Sequence, residues 1–131
     1  MRMVYSETLT DHFEQPRHVG RFDGDAANIG TGLAGTRETG GVLRLQICVD
    51  DASVINQVKF QAYGPPALIA AGSWLAEAVH GRTLSEAQAL SHREIAQALA
   101  LPSARLHFAL LAEDAIRAAI LDFKDKQKVY V

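Results

Sequence analysis

Cysteine is nearly absent from this chain, because Cys48 is the only one among its 131 residues. A single thiol excludes an internal disulfide, a four-cysteine zinc site and any all-cysteine cluster site within one chain. Long apolar runs are missing too, and none approaches the ~18 residues that a membrane helix needs. The N-terminal residues turn polar after Tyr5 and lack an apolar signal core. We therefore expect a cytoplasmic protein with no membrane partner.

Neither sign of charge is in excess, with 13 Lys and Arg residues against 15 Asp and Glu residues. General nucleic-acid binders show a basic excess or a basic stripe, so we expect no nucleic-acid partner. Hydrophobic residues make up 48% of the chain and charged residues 21%, which is typical of a folded globular protein. The length predicts a single domain over residues 1–131.

Hydrophobic periodicity and breaker residues predict the first half of the fold. A short helix over residues 6–14 ends before Pro16, because proline disfavours helical geometry in the residue before it. A glycine-rich stretch follows and contains an irregular edge strand near residues 30–37. Strict alternation over residues 42–50 and again over residues 54–63 predicts an antiparallel hairpin.

One face of this hairpin is apolar and must be buried against other parts of the chain. It carries Leu43, Leu45, Ile47 and Val49 on the first strand and Val54, Asn56, Val58, Phe60 and Ala62 on the second. Helices are predicted next over residues 67–80, in short segments capped by Thr83 and Ser91, and over residues 104–126. Strands grouped before helices indicate an α+β fold, with a three-stranded antiparallel sheet and helices packed on one face.

The histidines give no metal-binding pattern, because no two lie at the i,i+4 spacing of a helical metal pair. His12, His18, His80 and His92 are interpreted as surface or capping residues. His107 follows a turn at the start of the last helix. It is interpreted either as a hydrogen-bonded boundary residue or as a ligand that faces a pocket.

Two other side chains with reactive groups, Cys48 and Glu113, are interpreted as structural. Cys48 lies on the hairpin face opposite the apolar residues, and Arg44 on the same face is ~13 Å away along the strand. Without a nearby cation the thiol is predicted to be inert. Glu113 forms an i,i+4 pair with Arg117 and is predicted to lie on the wetter side of the last helix.

Five segments spread over nearly the whole chain carry a family resemblance. They are YSETLTDHFEQPRHVGRFD at 5–23, NIGTGLAG at 28–35, LRLQICVDD at 43–51, FQAYG at 60–64 and LHFALLAEDAIRAAILDFK at 106–124. Together they resemble the IscU/NifU N-terminal family of iron–sulfur cluster assembly scaffolds. The resemblance implies that family's fold, a three-stranded antiparallel sheet with helices, in agreement with the pattern analysis.

The resemblance also implies where a ligand set would lie. Scaffolds of the family hold a [2Fe–2S] cluster, iron or zinc with three cysteines, assisted by an aspartate and a histidine. The cysteine positions fall on Thr39, Pro65 and Phe108 in this sequence, and the aspartate position falls on Gly41. Only His107 retains the family residue. We therefore expect no cluster or metal cofactor, because iron–sulfur clusters are held by thiolates.

The family works with a cysteine desulfurase, and with a heat-shock chaperone and its J-protein. The N-terminal segment, which approaches the desulfurase in the family, is retained, and its aromatic residues Tyr5 and Phe13 are candidate contacts. The chaperone-recognition phrase Leu-Pro-Pro-Val-Lys is altered. It keeps Leu101, Pro102 and a positive charge at Arg105, but its middle differs. This change argues against recognition by the chaperone and its J-protein.

Three functions follow as hypotheses. The first is a ligand-less, non-catalytic member of the family that binds partners of the assembly machinery. The second is a scaffold with other ligands, such as His107 together with Cys48 residues brought together by oligomerisation. The third is a small-ligand binder, in which Thr39, Pro65 and Phe108 convert the metal site into an apolar pocket.

Overall fold

The computed structural model describes residues 4–129, which form five α-helices, one 3-10 turn and three strands. In chain order these are α1 (Glu7–Glu14), β1 (Ile29–Thr36), β2 (Gly41–Val49), β3 (Ile55–Tyr63), α2 (Pro66–Val79), α3 (Leu84–Gln88), α4 (His92–Leu99), the 3-10 turn (Ser103–Arg105) and α5 (His107–Val129). In this described part of the chain, no helix combines the length and apolar character that membrane crossing requires.

The three strands form one antiparallel sheet in the order β1-β2-β3. Helices α2 and α5 pack on one face of the sheet, α2 mainly over β3 and α5 mainly over β1. Leu43, Leu45 and Ile47 of β2 point into this layer and are fully buried. The predicted α+β fold is confirmed, as is the edge strand that was expected near residues 30–37.

The predicted facing of β3 is wrong at its start. The pairing of β2 with β3 shifts between Cys48 and Val49, so that Val49 lies opposite Ile55. Ile55 is consequently buried and Asn56 is exposed, the reverse of what uninterrupted alternation predicts. A β-bulge inserts one residue and so moves every side chain before it to the other face.

The other face of the sheet is partly covered by the loop between α1 and β1. The Phe22 N–H donates to Oε1 of Gln46 at 2.8 Å, and Nε2 of Gln46 donates to Oγ1 of Thr31 at 3.0 Å. Gln46 is only 1% exposed as a result. Lys126 of α5 holds the end of this loop, since its ammonium donates to the Ile29 carbonyl at 2.7 Å.

Helix α5 differs from its predicted range of 104–126. The residues before His107 form the tighter 3-10 turn, and the helix continues to Val129. Glu113 was expected on the wetter side but is only 7% exposed. Its carboxylate accepts hydrogen bonds from the N–H and Nδ1 of His92 and from Arg117, the last at 2.6 Å. The predicted pair with Arg117 therefore exists, and the buried Glu113 carboxylate also pairs with His92.

His12 is also not the surface residue that the sequence suggested. It is 5% exposed, and its Nδ1 lies 2.8 Å from Oγ of Ser73 in α2. The same hydroxyl accepts a hydrogen bond from the N–H of Arg17 at 2.9 Å. Burial, with the nearby charge of Arg17, lowers the pKa of His12. This contact fixes α1 against α2.

Candidate functional site

Three segments meet at one end of the sheet: the β1–β2 turn, the β3–α2 junction and the start of α5. A Cβ atom placed on Gly40 would lie 3.9 Å from Cζ of Phe108, and one placed on Gly64 would lie 3.1 Å from the Gly40 carbonyl oxygen. Thr39 and Gly41 flank Gly40 in the sequence, and Pro65 follows Gly64. The structure thus brings together the segments that carry the five positions implied by the resemblance.

Thr39 is occupied by its own turn. Its hydroxyl donates to the Thr36 carbonyl at 2.8 Å and accepts from the Thr36 N–H at 2.8 Å. These bonds close the β1–β2 turn. A neutral hydroxyl held in this way is a poor substitute for a thiolate ligand.

Gly41 has no room for a larger side chain. A Cβ atom at this position would lie 2.8 Å from the Tyr63 carbonyl oxygen and would overlap Cδ2 of Leu68. Leu68, from the first turn of α2, is fully buried. The space that an aspartate at position 41 would enter is therefore filled from α2.

The β3–α2 junction is built from prolines. Pro65 is the N-cap of α2, with φ −71° and ψ 168°, and makes no side-chain capping bond. Pro66 occupies the first helical position, where its missing N–H costs little. Neither ring offers a ligand atom. The junction is therefore a rigid helix start rather than a ligand loop.

Phe108 and His107 begin α5 with opposite environments. Phe108 is 2% exposed and belongs to the core. His107 is exposed, with its ring centroid 4.0 Å from that of Phe108. The exposed ring gives no support to His107 as a ligand that faces a pocket, and both interpretations, this one and the hydrogen-bonded boundary residue, stay predictions.

An open cleft lies beside these positions. It has a volume of about 590 Å³ and is lined by Arg37, Gly40, Gly41, Val42 and Tyr63. The lining is mostly apolar, and the Arg37 guanidinium is its one charged side chain. The Tyr63 ring is 71% exposed at the rim. The sequence-based hypothesis formed an apolar pocket from Thr39, Pro65 and Phe108, and none of these three lines the cleft. Sequence reasoning missed Arg37, Val42 and Tyr63, whose only signal was their proximity to the ligand positions implied by the resemblance.

Cys48 lies far from this end of the molecule. It is seven residues from Gly41 along β2, which is about 23 Å for an extended strand. Its Sγ accepts a hydrogen bond from Nδ2 of Asn28 at 3.4 Å. Burial, with a smaller effect of Asp50, raises the pKa of the thiol. Cys48 therefore cannot join His107 within one chain, and it is not activated for reaction.

Metal-binding side chains do not gather at the site. Across residues 4–129, no group of three or more His, Cys, Asp or Glu side chains has the geometry to hold a metal ion. Structural zinc sites use four nitrogen or sulfur ligands, and clusters use thiolates. The residues present therefore do not fit the group that the family resemblance implies.

The two aromatic candidates for partner binding differ in accessibility. Phe13, on α1, is 38% exposed, whereas Tyr5 is half-buried and packs against the core. Ser6 joins this segment to α4, because its hydroxyl donates to the Leu99 carbonyl at 2.6 Å. Phe13 is thus the freer of the two for a partner contact.

The candidate chaperone segment is also less open than its sequence suggests. Leu101 is only 9% exposed and belongs to the core. Pro102 and Arg105 are half-buried around the 3-10 turn. Leu101 is therefore a packing residue in this fold.

Comparison with known proteins places the chain among iron–sulfur assembly proteins. Residues 4–130 match the NifU-like N-terminal domain family. The chain is 45% identical to the iron–sulfur cluster assembly scaffold protein IscU of Escherichia coli K12 over 126 residues, covering 96% of this chain and 98% of that protein. It is 47% identical to IscU of Haemophilus influenzae over 125 residues, covering 95% and 99%.

Solved structures show the same fold. A putative iron–sulfur cluster assembly scaffold for the SUF system from Fervidobacterium islandicum has a TM-score of 0.73 at 19% identity, over 88% of this chain and 96% of that one. A NifU-like N-terminal protein from Brucella abortus has a TM-score of 0.67 at 15% identity, over 92% and 94%. The chain therefore belongs to the IscU/NifU N-terminal family of iron–sulfur cluster assembly scaffolds.

Proposed function

We propose that this protein is a non-catalytic member of the assembly machinery that binds a partner without holding a cluster. One observation carries the proposal: the family fold is intact, while the end that corresponds to the ligand site offers no set of ligand atoms. Thr39 is hydrogen-bonded within its turn, Pro65 has no donor atom and Phe108 is a core residue. Gly41 has its space filled by Leu68.

A cysteine desulfurase is the partner that the family membership favours. The relatives are named as scaffold proteins of iron–sulfur cluster assembly. By the resemblance, the N-terminal segment is the part of the chain that approaches the desulfurase. Phe13 presents an exposed aromatic ring on a mostly polar helix. Aromatic residues are frequent anchors of protein interfaces. The buried position of Leu101 argues against recognition of its segment by a chaperone and J-protein.

Binding of the purified protein to a purified cysteine desulfurase tests this proposal. We expect measurable binding, and Phe13→Ala should weaken it at least fivefold, about 1 kcal/mol. Leu121→Ala is the matched control, because Leu121 is an exposed apolar residue on α5. Absence of binding by the parent protein, or equal weakening by both variants, would contradict the assignment of this surface.

A second candidate function rests on the cleft beside Gly41. Its volume lies in the range of small-molecule sites, and an apolar lining with one guanidinium suits a ligand with an apolar body and a carboxylate. Titration of labelled protein with 2-naphthoate, observed by NMR, tests this alternative. Shifts confined to the cleft that disappear in Arg37→Gln would support it; shifts scattered over the surface would exclude it.

The remaining alternative is a metal site shared between subunits. Because Cys48 lies about 23 Å along β2 from Gly41, its thiol and His107 would have to come from different chains. Metal analysis with the oligomeric state measured on the same sample tests this alternative. A stoichiometric metal that is lost in Cys48→Ser would establish it.

A further inference from the structure

Two histidines lie side by side on a different part of the molecule. The ring centroids of His18 and His80 are 5.2 Å apart, with 63° between the ring planes. His80 is the C-cap of α2, and His18 lies in the loop beside β3, where its carbonyl accepts the Phe60 N–H at 2.9 Å. Both backbones are therefore held in place by the fold.

The His80 ring makes a contact that is common in metal-bound histidines. Nε2 of His80 lies 3.0 Å from the Asn56 carbonyl oxygen. Because a carbonyl only accepts, Nε2 carries a proton, and in the neutral ring Nδ1 then keeps a lone pair for a metal. Histidines that bind metals usually donate their second N–H to a carbonyl or a carboxylate.

We propose that His18 and His80 form a two-imidazole site for a divalent transition metal such as Zn²⁺, with water in the remaining positions. Two imidazoles on one tetrahedral ion, with metal–nitrogen bonds of about 2.0 Å, place their ring centroids about 5 Å apart. A cleft of about 250 Å³ adjoins both rings and leaves space for the ion and its waters. Imidazole nitrogen favours Zn²⁺, Ni²⁺ and Cu²⁺ over Mg²⁺ or Ca²⁺.

Two cationic side chains near the pair make contacts of their own, and one of them, Lys59, also lines the cleft. The Lys59 ammonium lies over the Phe22 ring, 4.7 Å from its centroid. Arg17 is paired with Asp11 at 2.6 Å and with Glu77 at 3.7 Å. Burial and the neighbouring His80 lower the pKa of His18, which favours the neutral ring that a metal requires, while Glu77 acts in the opposite direction.

The backbone of His18 is an additional sign of a functional position. Its φ is +66°, in the left-handed region that residues other than glycine rarely adopt. Such conformations cluster at binding sites. The pair also lies away from the Thr39 end of the molecule, because Asn56 and Tyr63 are seven residues apart along β3, about 23 Å. The inference is therefore independent of whether the protein binds a cluster.

Titration of chelator-treated protein with Zn²⁺, followed by calorimetry and by NMR of the histidine rings, tests the site. We expect one Zn²⁺ per chain, with the ring signals of His18 and His80 shifted together. His18→Asn, which tolerates the left-handed backbone, and His80→Gln should each weaken binding at least tenfold. Gln57→Ala, at another exposed residue of the same cleft, is the matched control and should bind as the parent does.

Circular dichroism of each variant checks that it folds. If His18→Asn fails to fold, His80→Gln decides, because its side chain is exposed at a helix end. The proposal is overturned if the parent protein binds no stoichiometric Zn²⁺. It is also overturned if His80→Gln binds like the parent, or if Gln57→Ala abolishes binding.

Discussion

Glu113 illustrates, at the scale of single residues, how burial changes the role of a charged group. Burial alone would raise the pKa of this carboxyl group, but the N–H and ring of His92 and the Arg117 guanidinium lower it below its ordinary value. The carboxylate joins the first residue of α4 to α5. Removing its charge leaves the His92 and Arg117 donors poorly paired.

We predict that Glu113→Gln lowers the free energy of unfolding by about 2–3 kcal/mol at neutral pH. Asp114→Asn, at the exposed neighbouring position, should change it by less than about 0.5 kcal/mol. The folded-state pKa of Glu113 is below its unfolded value of about 4.3. Its stabilisation is therefore present above that pH and is lost as the pH falls through the folded pKa.

Denaturant unfolding at pH 7 and at stepped acidic pH measures this prediction. The difference between the parent protein and Glu113→Gln should shrink as the pH falls below about 4. A difference that stays constant with pH would mean that the Glu113 charge does not contribute, and that the variant is destabilised by packing alone.

Gly41 gives a second residue-scale prediction, about the space at the candidate site. Gly41→Asp should lower the free energy of unfolding by about 1–3 kcal/mol, because its side chain overlaps Leu68 and approaches the Tyr63 carbonyl. In a Leu68→Ala background the same change should cost at least about 1 kcal/mol less. A double-mutant cycle measures this coupling, and additive effects would show that Leu68 does not fill the space.

At the scale of elements, the contact between β1 and α5 depends on the absence of side chains. A Cβ atom on Gly32 would lie 2.6 Å from the backbone nitrogen of Ala119 and would overlap the Ala115 carbonyl. The helix backbone therefore rests directly on the strand. The sequence predicts this glycine-rich segment as an irregular strand. The strand contains glycines because the α5 backbone approaches it so closely.

We predict that Gly32→Ala lowers the free energy of unfolding by about 1–3 kcal/mol, because the methyl group forces α5 away from β1. Gly24→Ala is the matched control. Its Cβ atom would find ordinary contacts at 3.6 Å or more, so the change should be near neutral. Equal stabilities of the two variants in denaturant unfolding would contradict direct packing of the helix on the strand.

Hydrophobic periodicity predicted the helices and strands because buried positions repeat regularly along each of them. A single inserted residue shifts that repeat. The bulge at Cys48 and Val49 reverses the facing of Ile55 and Asn56, and no turn signal in the sequence marks it. The burial of His12 and Glu113 was missed for a related reason. Their partners, Ser73 and His92, are distant in sequence, so local patterns carry no trace of the contacts.

At the scale of the whole molecule, the fold and the chemistry of the site have different determinants. The sheet and its helices follow from distributed apolar positions, and they are retained at 45% identity to IscU of Escherichia coli. The ligand chemistry of the family depends on a few side chains at one end. Their positions follow from the resemblance, whereas the filling of that space by Leu68 and the cleft beside Arg37 required coordinates.

Anaerobic reconstitution with iron, sulfide and a cysteine desulfurase tests whether this protein can hold a cluster. IscU from Escherichia coli, carried through the same preparation, is the positive control. We predict that this protein stays colourless after desalting and retains no stoichiometric iron, because no set of thiolates is available to hold a cluster. A stable visible charge-transfer spectrum, with about two irons per chain or per dimer, would contradict it.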